Sequence, residues 1–456
     1  MFQVLSDYYR IPEDFVGPIF AGSPVKAPGF FRFGPEIICY GRSEAGVSSE
    51  FEKAARYDAF ATLRADESGV HLSFDPSEVI ENLRRERYES SLKPGREKVV
   101  TQEWLLRAYY AVRQFLPVAI RRPMQRAYFS DWKSRPFPAW PVDFTVDSLH
   151  ERLLQISMEA AGLTRIPFVW FWPGGAPNCL ILTHDVETSV GRDFTSRLMD
   201  IDESHGFRAS FQVIPEQRYD VHDEYVASIR VRGFEFNIHD LNHDGRLYRD
   251  RVEFLRRAKR INEFGHRYGA VGFRAGAMYR NLDWYDAYDF SYDMSVPNVA
   301  HLEPTRGGCC TVFPYFVGKI LELPLTTSQD YSVFHIMRDY SIALWKKQID
   351  LIRSKNGLMC FLTHPDYLVD QRPRRVYESL LNHLRQVIER ERIWATLPEA
   401  VDHWWRDRAQ MKLVKNGDGW EVVGRGCERA RVAYAILSNG RLKYELESVS
   451  AHKTPA

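Results

Sequence analysis

Short apolar stretches alternate with longer amphipathic ones through the middle of the chain, and this alternation constrains the fold more than any other feature of the sequence. Short runs rich in β-branched and aromatic residues predict strands, and a helical spacing of apolar residues predicts helices. Because strand–helix units repeat, we expect a mainly parallel sheet with enough strands to close into an α/β barrel. The predicted strands are 167–172, 179–183, 208–214, 234–238, 270–274, 290–295, 320–325, 358–363 and 392–396, and the predicted helices are 191–205, 222–232, 247–267, 339–354, 376–391 and 398–407.

The two flanking regions differ from this centre and predict a division into three consecutive parts. Residues 1–165 open with a stretch rich in proline and glycine, so we expect an irregular α+β accessory region there. Residues 166–407 form the predicted barrel. After residue 407, two Asn-Gly turns separate short apolar runs, which predicts a small antiparallel β appendage over residues 408–456.

Composition places the chain among soluble globular proteins and limits its partners. Hydrophobic residues make up 45% of the chain and charged residues 27%, which is ordinary for that class. The net charge of +1 does not favour a nucleic-acid partner, because nucleic-acid-binding domains are usually strongly basic. The first residues lack a secretory signal pattern, and no apolar run reaches the roughly 18 residues of a membrane span. We therefore expect a cytoplasmic location. The sequence gives no indication of the oligomeric state.

A basic, aromatic segment at 104–128 has two interpretations. Five arginines lie in it among aromatic residues, and after Glu103 no acidic residue interrupts it. One interpretation is a peripheral contact with the inner membrane face or with an anionic glycan-lipid. The other is a helix packed on the barrel with its arginines in solvent, and the sequence favours this second interpretation.

Ionisable residues follow several of the predicted strands, where a barrel would gather them into one site. Asp185 and Glu187 are two residues apart at a strand end, so both side chains point to the same side. His239 and His243 are four apart, which places both imidazoles on one face if the backbone turns helically after the strand. One carboxylate and two imidazoles can hold a divalent ion with positions left open. Such an ion lowers the pKa of water from about 15.7 toward about 7, so the pattern predicts metal-assisted hydrolysis.

Two further residues end apolar runs and complete this set. Arg274 beside Asp185 would keep that carboxylate ionised as a base, although a plain structural ion pair is the alternative. His364 could protonate a leaving group, and a buried histidine with satisfied hydrogen bonds is the alternative there. His184 must lie close to the same site.

In order and type, these motifs resemble those of the polysaccharide deacetylase family, carbohydrate esterase family four, of the NodB-homology type. The similar segments are Thr183–Glu187, the H-x-x-x-H pair His239 and His243, and Leu362–His364. The third motif of the family matches only at Arg274, since Gly276 and Ala277 stand where proline and tyrosine are expected. The resemblance covers about residues 179–400.

The resemblance implies a distorted (β/α) barrel, one divalent metal ion and a role for each matching residue. Zinc is favoured for the ion, and cobalt, manganese and nickel are alternatives. Either Asp293 or Asp330 would orient His364, and the sequence does not decide between them. The implied roles are catalytic base for Asp185 beside Arg274, general acid for His364 with Asp293 in the catalytic set, oxyanion binding by the backbone N–H of Ala277, and metal ligation by Glu187, His239 and His243.

The activity that this resemblance implies is removal of N-acetyl groups from amino sugars of a glycan or a lipid-linked oligosaccharide. One alternative is hydrolysis of a small cyclic amide similar to allantoin, because the altered third motif changes the substrate pocket. Another is a catalytically silent glycan-binding protein, against which the intact set of motif residues argues. A non-haem iron oxygenase does not fit, because its ligands normally include an H-x-D/E pair.

Overall fold

The structure, a computed structural model, divides into two compact units that do not follow chain order. The first unit comprises Met1–Ser91, Thr145–Ala176 and His403–Ala456, and the second comprises Leu92–Phe144 and Pro177–Asp402. The residues that the structure describes are 3–12, 15, 17, 19–22, 27–66, 69–92 and 118–447.

Both units contain strands and helices. In chain order the described strands are β1 (Ile19–Ala21), β2 (Gly29–Phe33), β3 (Ile37–Gly41), β4 (Arg64–Asp66), β5 (Gly69–Leu72), β6 (Arg165–Val169), β7 (Cys179–Val186), β8 (Ser210–Val213), β9 (Glu235–His239), β10 (Gly272–Arg274), β11 (Tyr292–Asp293), β12 (Tyr315–Val317), β13 (Ile320–Glu322), β14 (Leu358–Thr363), β15 (Trp394–Thr396), β16 (Lys412–Asn416), β17 (Gly419–Val423), β18 (Val432–Ser438) and β19 (Arg441–Leu446). The described α-helices are α1 (Gln3–Tyr9), α2 (Pro76–Arg84), α3 (Val118–Tyr128), α4 (Thr145–Ala160), α5 (Ser189–Ser204), α6 (Asp223–Val231), α7 (Arg251–Tyr268), α8 (Ala343–Arg353), α9 (Pro365–Leu368), α10 (Gln371–Glu391) and α11 (Pro398–Gln410).

The second unit is built on one mainly parallel sheet. Its strands lie in the order β12-β13-β11-β10-β9-β8-β7-β14, and β15 pairs with the first residues of β7. Only β12 among them runs antiparallel to its neighbour. Every residue of β7, β8, β9 and β14 is buried, as expected for strands covered on both faces. Because the strands are parallel, the loops that follow them meet at one edge of the sheet.

Helices alternate with these strands, and several of them begin at a residue that caps the helix N-terminus. Thr188 caps α5 by accepting a hydrogen bond from the amide of Gly191, and Asp250 caps α7 through the amide of Glu253. Each helix buries one apolar face, for example Leu198 and Met199 on α5. The caps fix where the chain leaves the loop edge of the sheet, and so they position the residues in those loops.

The first unit contains segments from both ends of the chain in short sheets whose strand pairs are antiparallel except for the parallel pair β1 and β5. Its sheets are β1-β5-β4, β2-β3, β16-β17 and β19-β18-β6. The turn between β18 and β19 is Asn439-Gly440, with positive φ at both residues, as a two-residue hairpin requires. The buried Arg408 donates to the carbonyl oxygens of Tyr8, Val169 and Trp170 and thereby joins three separate segments of the unit.

The predicted α/β class with a parallel sheet, an α+β N-terminal region and antiparallel C-terminal strands is confirmed. The first predicted barrel strand, 167–172, is wrong: β6 pairs with β18 in the first unit, because its backbone groups are satisfied by Val432–Ile436. The antiparallel β12 was not predicted. The boundaries at residues 165 and 407 stay a prediction about domain organisation, since the compact units combine segments distant in sequence.

The basic segment 104–128 is described only in part. Residues 104–117 lie outside the described residues, and Val118–Tyr128 forms α3. Among the described residues there is no helix with the length and apolar character needed to cross a membrane. Contact with a membrane surface stays a prediction.

Candidate metal centre

Glu187, His239 and His243 converge at the loop edge of the parallel sheet. Glu187 directly follows β7, and His239 is the last residue of β9. Oε1 of Glu187 lies 2.8 Å from Nε2 of His243 and 3.8 Å from Nε2 of His239. One ligand atom from each of the three residues lies within 4.8 Å of the other two. This spacing allows the three side chains to share one cation.

The imidazole nitrogens at this site have the orientation and the free lone pairs that metal ligands need. Nδ1 of His239 donates to the carbonyl oxygen of Arg274 at 3.1 Å, so Nε2 carries a lone pair that faces Glu187. Within the described chain, Nε2 of His239 and Nε2 of His243 are buried and make no hydrogen bond. Buried polar atoms almost always have a partner, and a divalent ion would supply one to both nitrogens. The residues present therefore fit a metal ion.

The loop that brings His243 to the site is not helical, so that expectation is wrong. Asp240 and His243 have φ values of 55° and 54°, in the left-handed region. Other bonds fix the loop: the amide of Asp240 donates to the carbonyl of Arg274 at 2.8 Å. Arg218 donates to the carbonyls of Asn242 and His243 at 3.1 and 2.7 Å. The role of Arg218 in holding this loop was not predicted, because Arg218 lies in a loop with no recognisable motif.

Gly276 is required by close packing against this loop. A Cβ atom at Gly276 would lie 2.4 Å from Oδ2 of Asp240 and 2.8 Å from Cδ2 of His243. No larger residue fits without moving His243, which explains the glycine where the family motif has proline. The next residue, Ala277, is half-buried with φ 54°. Its role as an oxyanion donor stays a prediction.

Asp185 is held by a buried arginine beside the metal ligands. Nη1 of Arg274 lies 2.8 Å from Oδ1 of Asp185, and the other oxygen, Oδ2, lies 3.6 Å from Nε2 of His239. Arg274 is completely buried and also donates to Thr183 Oγ1 and the Met294 carbonyl. Burial acts to raise the pKa of Asp185, but the positive charge of Arg274 outweighs it and the pKa is lowered. Asp185 is therefore ionised at neutral pH.

His364 faces the same centre and is oriented by Asp330. Nε2 of His364 lies 3.6 Å from Oε1 of Glu187, while Nδ1 lies 2.6 Å from Oδ1 of Asp330. The backbone amide of His364 donates to the second oxygen of Asp330 at 2.8 Å. Burial acts to lower the pKa of His364, but the Asp330 and Glu187 carboxylates raise it well above its usual value. The imidazole is therefore positioned to carry a proton.

Of the two aspartates that the sequence left open, Asp330 orients His364 and Asp293 does not, and the place of Asp293 in the catalytic set stays a prediction. The carboxylate of Asp293 accepts from the Ser295 amide at 2.9 Å and from the Ser295 hydroxyl at 2.7 Å. Burial raises the pKa of Asp293 to about 7. Asp293 is the last residue of β11, and Asp330 lies in the segment after β13. Both follow a strand, so their positions in the sequence alone could not show which aspartate contacts His364.

His184 turns its side chain away from the metal ligands. Nδ1 lies 2.8 Å from Thr363 Oγ1, and Nε2 lies 2.9 Å from Asp202 Oδ2 on α5. Its neighbours in sequence face the opposite side of β7, since side chains alternate along a strand. His184 therefore lies close to the site through its backbone, as expected from its place beside Asp185, but its side chain does not reach the metal ligands.

A cavity of about 240 Å³ opens at the metal ligands and includes residues that were not predicted. Glu187 and His243 line it together with Asp366 and Tyr367. Burial, with the neighbouring Glu187 carboxylate, raises the pKa of Asp366 to about 7. The sequence could have indicated Asp366 only by its position, two residues after His364. Tyr219 was not predicted either. Its hydroxyl donates to the Val186 carbonyl at 2.5 Å and fixes the end of β7.

No family model matches the chain, and no curated protein matches it. Solved structures similar to it include a putative polysaccharide deacetylase from Mycobacterium smegmatis, with 18% identity, a TM-score of 0.43 and coverage of 55% of this chain and 98% of that one. The Puue allantoinase gives 12% identity and a TM-score of 0.43 over 52% of this chain and 92% of that one. A probable polysaccharide deacetylase from Pseudomonas aeruginosa PAO1 gives 12% identity and a TM-score of 0.40 over 52% and 93%. At this level the similarity carries no argument about activity.

Proposed function

We propose that this chain hydrolyses an amide C–N bond with the help of a divalent metal ion, and that it removes N-acetyl groups from amino sugars of a glycan or lipid-linked oligosaccharide. One observation carries the proposal: Glu187, His239 and His243 offer ligand atoms within 4.8 Å of one another, and Asp185 lies 3.6 Å from His239. Two histidines and a carboxylate leave room on a metal for water and substrate.

The general base in this proposal is Asp185. Arg274 holds one oxygen of the carboxylate at 2.8 Å, so the other oxygen remains directed toward the metal ligands. Because the pKa of Asp185 is lowered, its carboxylate is free to accept the proton of the attacking water. A divalent ion held by Glu187, His239 and His243 would supply Lewis acidity and a lowered water pKa.

The general acid is His364. Asp330 binds Nδ1 and leaves Nε2 on the side of Glu187, 3.6 Å from Oε1 of that residue, where the nitrogen of the scissile amide would lie. As the C–N bond breaks, Nε2 gives its proton to that nitrogen, and the products are acetate and a free amino sugar. The N–H of Ala277 is the proposed donor to the negative oxygen of the tetrahedral state. Base and acid thus approach the reacting amide from two different strands.

Acetate release from N-acetylglucosamine oligomers tests the activity. The purified full chain, loaded in turn with zinc, cobalt, manganese or nickel, is expected to release acetate with at least one ion and to stop when a chelator removes it. Asp185→Asn should lower the rate by about 10²- to 10⁴-fold with metal content unchanged, since it removes a general base. His266→Ala, at an exposed position of α7, is the matched control and should leave the rate unchanged.

Three other outcomes would replace this proposal. Turnover of hydantoins in place of glycans would assign the chain to cyclic amides. Metal and glycan binding without any product would indicate a silent glycan-binding protein. A fully active Asp185→Asn enzyme would show that the base lies elsewhere.

A further inference from the structure

A second cavity of about 440 Å³ lies beside the metal centre in the same unit. We call it the arginine cavity, because four arginines line it. Arg122 and His335 also line the cavity at the metal ligands, so the two spaces share a wall. The lining residues used below are Arg122 and Arg126 from α3, Arg372 from α10, and His335, Arg338 and Tyr340 from the segment before α8.

Within the part of the chain that the structure describes, none of these four arginines forms a salt bridge with a carboxylate. The nearest polar partner of Arg122 is Nε2 of His335 at 3.5 Å. Burial, with Arg122 and His364 nearby, lowers the pKa of His335 to about 4, so its ring is neutral and adds no further positive charge. Gathering like charges is unfavourable, and a bound anion would relieve it.

Several other arginines of the same unit are paired with carboxylates. Arg232 pairs with Glu203 although its side chain is 24% exposed, and Arg353 pairs with Glu391 although its side chain is 20% exposed. Arg257 is bound by Asp244 and Glu253. The four arginines of the arginine cavity differ from these three in having no carboxylate at salt-bridge distance in the described part of the chain.

Part of the arginine cavity is held in place by aromatic packing. The guanidinium of Arg372 lies 3.8 Å from the ring centroid of Tyr340, and that ring stacks on Phe334 at 5.4 Å. Arg126 is half-buried. Side chains restrained in this way lose less conformational freedom when they bind a ligand than free surface arginines do.

We propose, as an inference that rests on the proposed function, that the arginine cavity binds a phosphate or diphosphate group attached to the amino-sugar substrate. Guanidinium groups bind phosphate oxygens through paired hydrogen bonds, and four of them around one cavity fit a compact, multiply charged group. Uronic acids of a polymer instead spread single charges along the chain. Because Arg122 and His335 line both cavities, one substrate can place its acetamido group at Glu187 and His243 and its phosphate in the arginine cavity.

Binding of inorganic pyrophosphate tests the arginine cavity without any turnover. Calorimetry with the full chain should give saturable binding that weakens as salt is added, because exposed charges are screened. Arg338→Gln combined with Arg372→Gln should weaken this binding at least about tenfold, the equivalent of one charge-assisted hydrogen bond. Arg375→Gln, also exposed on α10 but outside the cavity, is the matched control and should bind as the unmodified chain does.

Acetate release from matched sugars tests the substrate class. N-acetylglucosamine 1-phosphate and nucleotide- or polyprenyl-diphosphate-linked N-acetylglucosamine should be used at least about tenfold more efficiently, by kcat/KM, than the uncharged sugar. The double variant should lose this preference through KM, and the control should keep it. The three phosphate forms distinguish a free, a nucleotide-linked and a lipid-linked source.

The outcomes separate this inference from the proposed function. Acetate release with no preference for phosphate, or an equal preference for uronate oligomers, overturns the phosphate assignment and leaves deacetylation intact. Pyrophosphate binding that the double variant abolishes, without acetate release from any sugar, supports the anion site and rejects the activity. Unchanged pyrophosphate binding in the double variant overturns the inference directly.

Discussion

Two clusters of buried polar side chains lie on the same parallel sheet, and they differ in whether their hydrogen bonds are complete. The metal-centre cluster, at the loop edge, comprises Asp185, Glu187, His239, His243 and Arg274. The Glu235 cluster comprises Ser210, Glu235, Asn237 and Tyr292, which lie on β8, β9 and β11. Both combine at least one carboxylate with polar side chains from other strands of the sheet, so residue type alone does not distinguish them.

The Glu235 cluster satisfies its own members. Asn237 donates to Oε1 of Glu235 at 2.5 Å and accepts from the Gly272 amide at 2.7 Å. Tyr292 donates to the same Glu235 oxygen, and the Glu399 amide donates to the other at 3.1 Å. A Cβ at Gly272 would lie 2.3 Å from the Tyr292 ring, so glycine is needed to seat that ring. Such a closed network is structural.

Within the described residues, the metal-centre cluster leaves two buried imidazole nitrogens that face Glu187 without a hydrogen bond, and it keeps its carboxylates charged. Burial raises the pKa of Glu235, whose partners are neutral. Burial also acts on Asp185, yet its pKa is lowered because Arg274 is charged. The comparison teaches that a functional cluster on this sheet is recognised by unsatisfied ligand atoms and a fixed countercharge, and that buried polar residues alone are insufficient.

The largest effect is expected when a ligand is removed from the metal-centre cluster. Glu187→Ala should lose stoichiometric metal, measured by elemental analysis, and should lower acetate release at least about a thousandfold, since a metal ion contributes several kcal/mol to such a transition state. Asn237→Ala, in the Glu235 cluster, should keep its metal. If Asn237→Ala lost the metal and Glu187→Ala retained it, the distinction between the two clusters would be wrong.

A smaller effect is expected for Asp330, a positioning residue that acts through His364. Asp330→Asn should lower kcat by about 10- to 100-fold with little change in KM, as is usual for partners that orient a functional imidazole. Asp293→Asn serves as the matched control, because Asp293 bonds Ser295 and does not reach His364. Steady-state kinetics on one glycan substrate separates the two variants. Equal losses of kcat in both would keep Asp293 in the catalytic set.

The sequence predicts those features of the fold and of the candidate site that depend on local patterns of residues. Strand–helix alternation gives the order of β7, β8, β9 and β10, and the ends of parallel strands must meet, so the residues of the candidate site could be named in advance. The choice of Asp330 over Asp293 could not, because it depends on how the chain between β11 and β14 folds back. Pairing of β6 with β18 joins segments far apart in sequence, and no local pattern encodes it.

The arginine cavity, like the pairing of β6 with β18, could not be predicted from local sequence patterns. The sequence made the arginines of 104–128 visible as a basic segment, but two interpretations remained open. Arg338 and Arg372 belong to distant segments, and only the fold brings them beside Arg122 and Arg126. A site assembled from separate elements has no signature in the spacing of any one of them.

The closed network of the Glu235 cluster should matter for stability and not for metal binding. Asn237→Ala would leave the Gly272 amide without its acceptor, at about 1–3 kcal/mol of unfolding free energy for a buried group left unsatisfied. It would also remove one of the bonds to Glu235, which keeps those from Tyr292 and the Glu399 amide. Urea denaturation measures this loss. Asn262→Ala is the matched control: Asn262 bonds the Ala287 carbonyl and the Asp289 amide but is half-buried, so water can replace its bonds and the loss should be smaller. Equal losses would mean that burial does not set the cost.

The last prediction concerns pH, and it tests whether Asp293 behaves like Glu235 or like Asp185. Burial raises the pKa of Asp293 to about 7, whereas its ordinary value is 3.8. The folded chain therefore holds a proton there that the unfolded chain releases above pH 3.8, so this contribution to stability is complete at lower pH and is lost as the pH rises toward 7. The slope is at most about 1.4 kcal/mol per pH unit for one group.

Asp293→Asn removes the titrating proton, so its stability should decline less than that of the unmodified chain between mildly acidic and neutral pH. Urea midpoints for both proteins across that interval measure the difference, and groups common to both cancel. Glu322 is coupled to this effect, because burial and then the Asp293 charge raise the pKa of Glu322, and Asp293→Asn removes the second of these two causes. Parallel pH curves for the two proteins would mean that Asp293 is ionised in the fold as Asp185 is, since the charge of Arg274 acts to lower the pKa of both.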